Sequence, residues 1–243
     1  IEAMSCGYHV LCEKMMAASL DDFYRMKDAS LKYGKVLLEA MRPAFDPAYE
    51  VIRGNLHRIG KIRRADLTFC QYSSRYDRFK AGILTNAFDP KMKNSALSDI
   101  GIYPLNIAVN LFGEPEDIIS KSVFLDNGFE GEGTALLCYS DKLVSINYSK
   151  INGSDIPSVI EGEAGCIYID KLTQPASVEI RLSKNEKEVI YKAKEANNMV
   201  YEIEAFGKMC KDGLNYLTYL DLTAKTQLLV DKIYKNSRID NNF

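Results

Sequence analysis

Two short stretches of this 243-residue chain bring together an acid, a base and a cation, the groups that a proton transfer requires. Glu13 and Lys14 directly follow a short apolar run, and Asp99 precedes Tyr103 by four residues. If the second stretch is helical, Asp99 and Tyr103 share one face and can reach the same ligand. Lys14 could hold a phenol oxygen or a cofactor ribose, and the groups together could move a proton at an alcohol carbon while a hydride moves elsewhere.

Each of these residues also has a purely structural interpretation. Lys14 could be a solvated lysine after a strand. Tyr103 lies on an apolar stripe with Ile100 and Ile107 and could belong to the core. Asp99 could cap the N-terminus of a helix. The residue types alone leave these alternatives open.

The cysteines and histidines form no pattern that would bind a metal. The six cysteines are scattered without a C-x-x-C pair, and the two histidines, His9 and His57, lie elsewhere. We therefore predict no metal site. Most cysteines fall in apolar strand or helix patterns, which favours reduced, buried thiols in a cytoplasmic protein.

The composition is that of an ordinary globular protein, with 47% hydrophobic and 26% charged residues. Lys and Arg total 31 against 33 Asp and Glu, a balance that argues against a dedicated nucleic-acid binder. No apolar run approaches the roughly 18 residues of a membrane span. The chain also shows no signal-peptide pattern. We expect neither nucleic acid nor membrane as a partner.

The elements that would position Glu13 and Lys14 form a strand, a helix and a second strand. Residues 8–12 and 36–40 are short apolar runs, and between them apolar residues recur at helical spacing from Leu20 until Gly34. This order predicts one βαβ unit of a parallel sheet. Ligands bind at the carboxyl ends of such strands, which is where Glu13 and Lys14 emerge.

The elements around Asp99 and Tyr103 are predicted less regularly. A helix is expected over residues 45–56 and a strand over 61–72, followed by an irregular segment, 73–95, typical of a long surface loop or an active-site flap. Helical spacing returns over residues 96–112, with Pro104 inside it. Since proline disrupts a helix interior, the regular helix begins near Gly101 or is kinked there.

The second half of the chain predicts a sheet. Val144, Ile146 and Tyr148 alternate with polar residues, as in a sheet with one wet face. Residues 134–139 join this strand through a short hairpin connection, further strands are expected at 158–163, 165–170 and 178–182, and the chain ends in helices. The predicted fold is an α/β piece joined to an α+β domain with a mainly antiparallel sheet and covering helices.

Three segments resemble the glucose-fructose oxidoreductase, inositol dehydrogenase and rhizopine-catabolism (Gfo/Idh/MocA) family of NAD(P)-dependent oxidoreductases. Residues 7–14, GYHVLCEK, resemble the family's G-K-H-V-L-C-E-K-P signature, and residues 38–43 are similar to the strand that follows it. Residues 98–104, SDIGIYP, match the D-x-G-x-[HY] motif in its tyrosine form, which looks most like the sugar-oxidoreductase and dihydrodiol-dehydrogenase branch. Residues 161–165 also resemble a later G-x-x-G turn.

The resemblance covers essentially the whole chain and implies its domain organisation. Residues 1–42 would be the C-terminal part of a Rossmann dinucleotide-binding domain, and residues 43–243 an α+β substrate-binding and oligomerisation domain. No G-x-G-x-x-G follows a strand, so the phosphate-binding first part of the Rossmann domain, on the order of 80 to 100 residues, is expected to be missing by N-terminal truncation. We therefore expect NAD or NADP not to be retained by this chain alone.

The resemblance also implies a role for each site residue. Lys14 would lie by the nicotinamide ribose and lower the effective pKa of Tyr103, the general acid and base, while Asp99 would orient the substrate or the lysine. Glu13, Lys14 and Arg42 would contact the cofactor. In the reducing direction, a hydride would go from C4 of the nicotinamide to a carbonyl carbon while Tyr103 protonates the oxygen.

Two residues or segments depart from the family pattern. Met15 replaces the proline of the E-K-P signature, which leaves open whether the Lys14–Met15 bond is cis or trans and whether activity survives. The run that usually precedes the D-x-G motif is glycine-rich, whereas residues 93–97 here read KNSAL.

The function implied is hydride transfer between NAD(P) and a sugar, polyol or related carbonyl by a cytoplasmic homo-oligomer assembled through its open sheet. The alternative is a non-catalytic binding or dimerisation module built on the same fold. The substrate, the choice between NAD and NADP and the oligomeric state stay open.

Overall fold

The N-terminal residues form the predicted strand–helix–strand unit. The computed structural model describes residues 1–183, 186–213 and 215–239. Its first elements are α1 (Glu2–Ser5), β1 (Val10–Glu13), α2 (Leu20–Tyr33) and β2 (Leu37–Ala40). Strands β1 and β2 pair in parallel, which confirms the βαβ unit.

Local chemistry fixes both ends of α2. The Ser19 side chain accepts a hydrogen bond from the main-chain N–H of Asp22 at 3.2 Å, as an N-cap serine does. Gly34 adopts the left-handed conformation, φ 60°, at the C-terminus, where a residue without Cβ is favoured. The helix therefore begins and ends where the sequence predicts.

The remaining helices and strands follow in chain order. They are α3 (Pro47–Asn55), β3 (Ile62–Cys70), α4 (Tyr76–Lys80), α5 (Ile102–Phe112), β4 (Asp117–Phe124), β5 (Glu130–Cys138), β6 (Leu143–Ser149), β7 (Ser158–Gly162), β8 (Gly165–Ile169), β9 (Ser177–Ser183), β10 (Glu186–Lys192), α6 (Met199–Asp212) and α7 (Tyr216–Ile239). A 3₁₀ turn, Arg42–Phe45, precedes α3, and a π-helical turn, Leu97–Gly101, precedes α5. The segment 73–95, predicted to be irregular, contains α4 and two 3₁₀ turns.

Pro104 lies in the first turn of α5. The regular helix starts at Ile102, directly after the π-helical turn, so the first of the two predicted alternatives is correct. Proline is tolerated near a helix start, because the first N–H groups of a helix have no intrahelical partner.

The eight-stranded sheet has the order β10-β9-β8-β7-β3-β6-β5-β4. Among its described strands, β3 and β6 pair in parallel and every other neighbouring pair is antiparallel. This confirms the prediction of a mainly antiparallel sheet in a mixed α and β fold. On its open face, the side chains of Thr134 and Asn147 form a hydrogen bond of 3.0 Å.

The main core lies between the other face of this sheet and helices α3, α5 and α7. Alternate strand residues such as Leu67, Val144 and Ile146 are fully buried there. The C-terminal helices also pack on the βαβ unit, where Leu220 of α7 and Met209 of α6 join its buried residues. The division into a Rossmann remnant and a second domain stays a prediction, and residues 184–185, 214 and 240–243 of the latter lie outside the described residues.

The prediction of buried cysteines is wrong. All six thiols are free, but Cys6 is exposed and the other five are half-buried, because their strand or helix positions lie at the margins of the core. In the described ranges, no three His, Cys, Asp or Glu side chains come together as ligands for a metal ion. The described helices include none that is long and apolar enough to cross a membrane.

Candidate active site

Lys14 lies where β1 ends, next to both Asp99 and Tyr103. Its ammonium nitrogen is 2.7 Å from Oδ1 of Asp99 and also donates to the main-chain oxygen of that residue. The same nitrogen lies 5.0 Å from the centre of the Tyr103 ring. The structure thus brings together the three residues that we predict to be catalytic.

The loop behind Lys14 is held by a buried carboxyl on the neighbouring strand. Glu39 of β2 accepts a hydrogen bond from the main-chain N–H of Met16 at 2.9 Å and another from the hydroxyl of Thr223 at 3.0 Å. Burial raises the pKa of Glu39, although these hydrogen bonds and Lys14 oppose the rise. Through these two hydrogen bonds, Glu39 connects the loop that follows Lys14 to α7. In this loop, the Lys14–Met15 peptide bond is cis.

Asp99 does not cap a helix, because both of its carboxylate oxygens bind lysines. Oδ1 lies 2.7 Å from Nζ of Lys14, and Oδ2 lies 2.8 Å from Nζ of Lys150. Burial alone would raise the pKa of Asp99, but the charges and hydrogen bonds of the two lysines outweigh it and hold this pKa below its usual range. Asp99 is thus kept ionised.

Lys150 completes this cluster and belongs to none of the sequence motifs. Its side chain is only 4% exposed. It lies directly after β6, and in that strand the inward residues are Val144, Ile146 and Tyr148. Since side chains alternate along a strand, Lys150 continues the inward series. This parity is the signal that could have found it.

The π-helical turn that contains Asp99 is hydrogen-bonded to the buried side chain of Glu130, which is 1% exposed. Glu130 accepts hydrogen bonds from the main-chain N–H of Leu97 at 3.1 Å and from the Tyr148 hydroxyl at 2.9 Å. Gly101 faces the same tyrosine, and a Cβ at Gly101 would lie 2.8 Å from its Cγ. The glycine of the D-x-G segment therefore lets the turn approach the sheet closely.

Tyr103 is half-buried between Lys14, Arg42 and Phe69. Its ring meets that of Phe69 edge to face at 5.6 Å, and the Arg42 guanidinium lies 5.8 Å from its centre. Burial raises the pKa of Tyr103, and Lys14 and Arg42 only partly offset this. The effect predicted for Lys14 has the expected direction, but the resulting pKa is above the ordinary value of 10.0.

The other residues predicted to contact the cofactor lie nearby. Glu13 is exposed at the end of β1. Arg42 donates from Nη2 to the hydroxyl of Thr173 at 3.3 Å, while its buried Nε has no partner among the described residues. One buried oxygen of Glu202 is likewise unpartnered. Burial and the charge of Glu13 raise the pKa of Glu202 to about 7, against the lowering effect of Arg42. This donor and this acceptor, which have no partner in the part of the chain that the structure describes, fit the carboxamide of a nicotinamide.

A cleft of about 530 Å³ is lined by Lys14 and Asp99, whereas Tyr103 is not among its lining residues. Its opposite wall comes from the segment predicted to be a flap and includes Arg75, Asn86 and Met92. The volume suits a small ligand. The wall combines cationic and amide side chains, which can bind the hydroxyl or anionic groups of such a ligand.

Comparison with known proteins identifies the family. The family model for the GFO/IDH/MocA C-terminal domain matches residues 55–168. The scyllo-inositol 2-dehydrogenase (NADP(+)) IolU of Bacillus subtilis (strain 168) is 39% identical over 235 residues, which cover 97% of this chain and 71% of that protein. The chain belongs to the Gfo/Idh/MocA oxidoreductase family.

A more distant relative and a solved structure are also similar to this Gfo/Idh/MocA chain. The trans-1,2-dihydrobenzene-1,2-diol dehydrogenase of Mus musculus is 26% identical over 94% of this chain and 69% of that protein. Among solved structures, the 3-ketoreductase KijD10 of Actinomadura kijaniata, in complex with NADP and TDP-benzene, has a TM-score of 0.85 at 19% identity, covering 97% of this chain and 73% of that one. The latter similarity concerns the fold alone. The predicted family and the predicted NAD(P)-dependent oxidoreductase class of the full-length protein are confirmed.

Proposed function

We propose that the full-length protein transfers a hydride between NADP(H) and a sugar, a polyol or a related carbonyl compound. The observation that carries this proposal is the contact of Lys14 with both Asp99 and Tyr103 at the end of β1. Such a group of acid, base and cation serves proton transfer at an alcohol or carbonyl oxygen. The similarity to a scyllo-inositol 2-dehydrogenase supports a polyol as the substrate.

Glu13, Lys14 and Arg42 are the residues proposed to hold the cofactor. Among the described residues, Arg42 Nε and one oxygen of Glu202 have no partner, which supports a nicotinamide at this place. When bound, the nicotinamide supplies the redox chemistry. Because the sequence contains no G-x-G-x-x-G, we propose that residues 1–42 are the end of a Rossmann domain, that residues 43–243 bind substrate, and that the 243-residue chain alone binds NADP(H) weakly.

The proton transfer is proposed to depend on Lys14, Asp99 and Tyr103. Asp99 holds the Lys14 ammonium in place, and that ammonium is proposed to bind the substrate oxygen and stabilise negative charge on it. Tyr103 is proposed to exchange the proton with the same oxygen. Its raised pKa keeps the phenol protonated until a cation or substrate compensates for burial, which suits a proton donor in the reducing direction.

The experiment is an activity measurement on the full-length protein with NADP⁺ or NAD⁺ and scyllo-inositol, other polyols and aldoses. We expect Tyr103→Phe to lower kcat roughly 100-fold or more, the range for losing a general acid or base. Tyr139→Phe is the matched control, since its hydroxyl binds the Gly113 carbonyl at 2.9 Å and Tyr139 lies next to the start of β6, whereas Lys150 follows the other end of that strand. A wild-type protein without turnover would favour the non-catalytic module instead, and unchanged turnover in Tyr103→Phe and Lys14→Met would overturn the roles proposed for these two residues.

A homo-oligomer formed through the open sheet face is a further part of the proposal. Ile119 and Val123 of β4 are 61% and 49% exposed, respectively, and pair with Leu136 and Glu132 of β5. Apolar side chains on an uncovered sheet are typical of an interface. Light scattering on wild type and on Ile119→Asp tests this, and a wild-type monomer at micromolar concentration would contradict it.

A further inference from the structure

Lys150 is a buried lysine whose ammonium group contacts two acceptor oxygens. Its Nζ lies 2.8 Å from Oδ2 of Asp99 and donates to the main-chain oxygen of Ala87 at 3.0 Å. The same nitrogen lies 5.1 Å and 5.2 Å from the ring centres of Phe88 and Phe129. Burying an ammonium is costly unless it is paired, so these contacts fix its position.

The carboxylate of Asp99 is divided between two ammonium groups. One oxygen binds Lys14 and the other binds Lys150. The terminal torsion of an aspartate is broad, so a carboxylate bound through one oxygen can turn. With both oxygens occupied, it cannot turn without breaking an ion pair. The direction from Asp99 to Lys14 therefore depends on Lys150.

Resting on the proposed function, we propose that Lys150 is a positioning residue for the reaction centre. It clamps Oδ2 of Asp99, so that Oδ1 holds the Lys14 ammonium over Tyr103. Through Ala87, which lines the cleft, it also ties the wall of the cleft to the same carboxylate. Lys150 is 3% exposed and acts on the substrate only through these neighbours.

A merely structural role would give a different pattern from positioning. If Lys150 only anchored the Ala87 segment, its loss would raise KM or lower stability, and the effect would not depend on Asp99. If it acts through Asp99, its loss lowers kcat, and the two residues are coupled. The charged and titratable neighbours of Asp99 are Lys14, Lys150 and Tyr103. Removing one of these cations must raise the pH at which Asp99 gains its proton.

The variants are Lys150→Met, Lys150→Arg, Asp99→Asn and the double variant of Lys150→Met with Asp99→Asn, made in the full-length protein. Lys142→Met is the matched control. Lys142 lies just before the start of β6, at the end of the strand opposite Lys150. It forms an ion pair with Asp141 at 2.5 Å and lies 5.0 Å from the ring centre of Tyr139. Steady-state kinetics with scyllo-inositol and NADP⁺ are measured across pH, with circular dichroism to check folding.

We expect Lys150→Met to lower kcat roughly 10- to 100-fold, the range for strongly coupled neighbours, and to move the acidic limb of the kcat profile to higher pH. Lys150→Arg keeps the positive charge, so its kcat should fall less than that of Lys150→Met. Lys142→Met should leave kcat unchanged, and the kcat of the double variant should be no lower than that of Asp99→Asn alone. Losses that multiply independently in the double variant, or an unmoved acidic limb, would overturn the proposal.

A second readout does not need turnover. Carbon-detected NMR follows the Asp99 carboxyl, assigned by its absence in Asp99→Asn, through a pH titration of wild type and Lys150→Met. A higher Asp99 pKa in Lys150→Met supports the clamp, and identical titrations contradict it. If the wild-type protein turned over none of the polyols or aldoses, the proposed function would fail, while this titration would still decide whether the clamp exists.

Discussion

The side chain of Glu39 accepts a hydrogen bond of 2.9 Å from the main-chain N–H of Met16 and thereby fixes the loop that follows Lys14. This carboxyl is 3% exposed and also receives the Thr223 hydroxyl. We predict that Glu39→Ala lowers the free energy of unfolding by about 1–3 kcal/mol, because a buried N–H and a buried hydroxyl lose their acceptor.

Urea unfolding of the 243-residue chain measures this effect. Glu39→Gln keeps an acceptor for Met16 and a donor for Thr223, so its loss should be smaller than that of Glu39→Ala. Equal losses in the two variants would show that the hydrogen bonds do not stabilise the loop.

Glu202 predicts a pH dependence of stability. Its pKa of about 7 in the folded state exceeds the ordinary 4.5, so the folded protein holds this proton more tightly than the unfolded chain. Stability therefore falls as pH rises from about 4.5 to 7 and is independent of this group outside that window. Glu202→Gln removes this fall, and its advantage over wild type should grow through the window and then stay constant.

Unfolding midpoints at several pH values between 4 and 8 measure the difference. Glu204→Gln, an exposed position on the same helix, is the control and should run parallel to wild type. A Glu202→Gln curve parallel to wild type would contradict the raised pKa.

Gly101 predicts a packing effect. A Cβ at this position would lie 2.8 Å from Cγ of Tyr148, so Gly101→Ala must move the π-helical turn or the ring. We expect a loss of about 1–3 kcal/mol in the free energy of unfolding, as for other overpacked sites. Gly207→Ala in α6 is the control, because a Cβ placed there would meet no described atom within 4 Å apart from the adjacent backbone of its own helix. Helix propensity predicts a gain of up to about 1 kcal/mol for this variant. Thermal and urea unfolding compare the two, and a neutral Gly101→Ala would show that Tyr148 can yield.

The free thiols predict an order of modification. Cys6 is exposed, whereas burial raises the pKa of the Cys12, Cys70 and Cys210 thiols and so reduces their thiolate fraction. Reaction with a disulfide reagent at pH 7.5 should show one fast thiol, which Cys6→Ser removes. A fast phase that persists in Cys6→Ser would place the reactive thiol elsewhere.

Periodicity in the sequence was sufficient to predict the βαβ unit and the hairpin of β5 and β6, whereas Pro104 left two alternatives for α5, a start near Gly101 or a kink there. Ser19 and Gly34 mark their helix by local hydrogen bonds and backbone conformation, which depend on a few neighbouring residues. The pairing of β3 with β6 could not be predicted this way, because their partnership joins segments far apart in sequence.

The residues of the candidate site also differ in whether the sequence could predict them. Lys14, Asp99 and Tyr103 were found because each belongs to a short motif. Lys150 belongs to none, and its role depends on where β6 ends relative to the π-helical turn. The pKa of Tyr103 was also beyond sequence reasoning, since it is decided by how far burial exceeds the effect of two cations.

The parallel pairing of β3 with β6 brings the segment that lines the cleft and the lysine that contacts Asp99 to the same end of the sheet. Both strands end at the same edge of the sheet, so the segment after β3 builds the cleft wall while Lys150 follows β6. Because Lys150 also donates to the main-chain oxygen of Ala87, the side chains of residues 71–95 that line the cleft can change which molecules fit, but the main chain at Ala87 must keep its place. Exchanging the cleft-lining side chains of this segment, with the main chain at Ala87 retained, is thus a route to new substrate preference that leaves the Lys150–Asp99 ion pair intact.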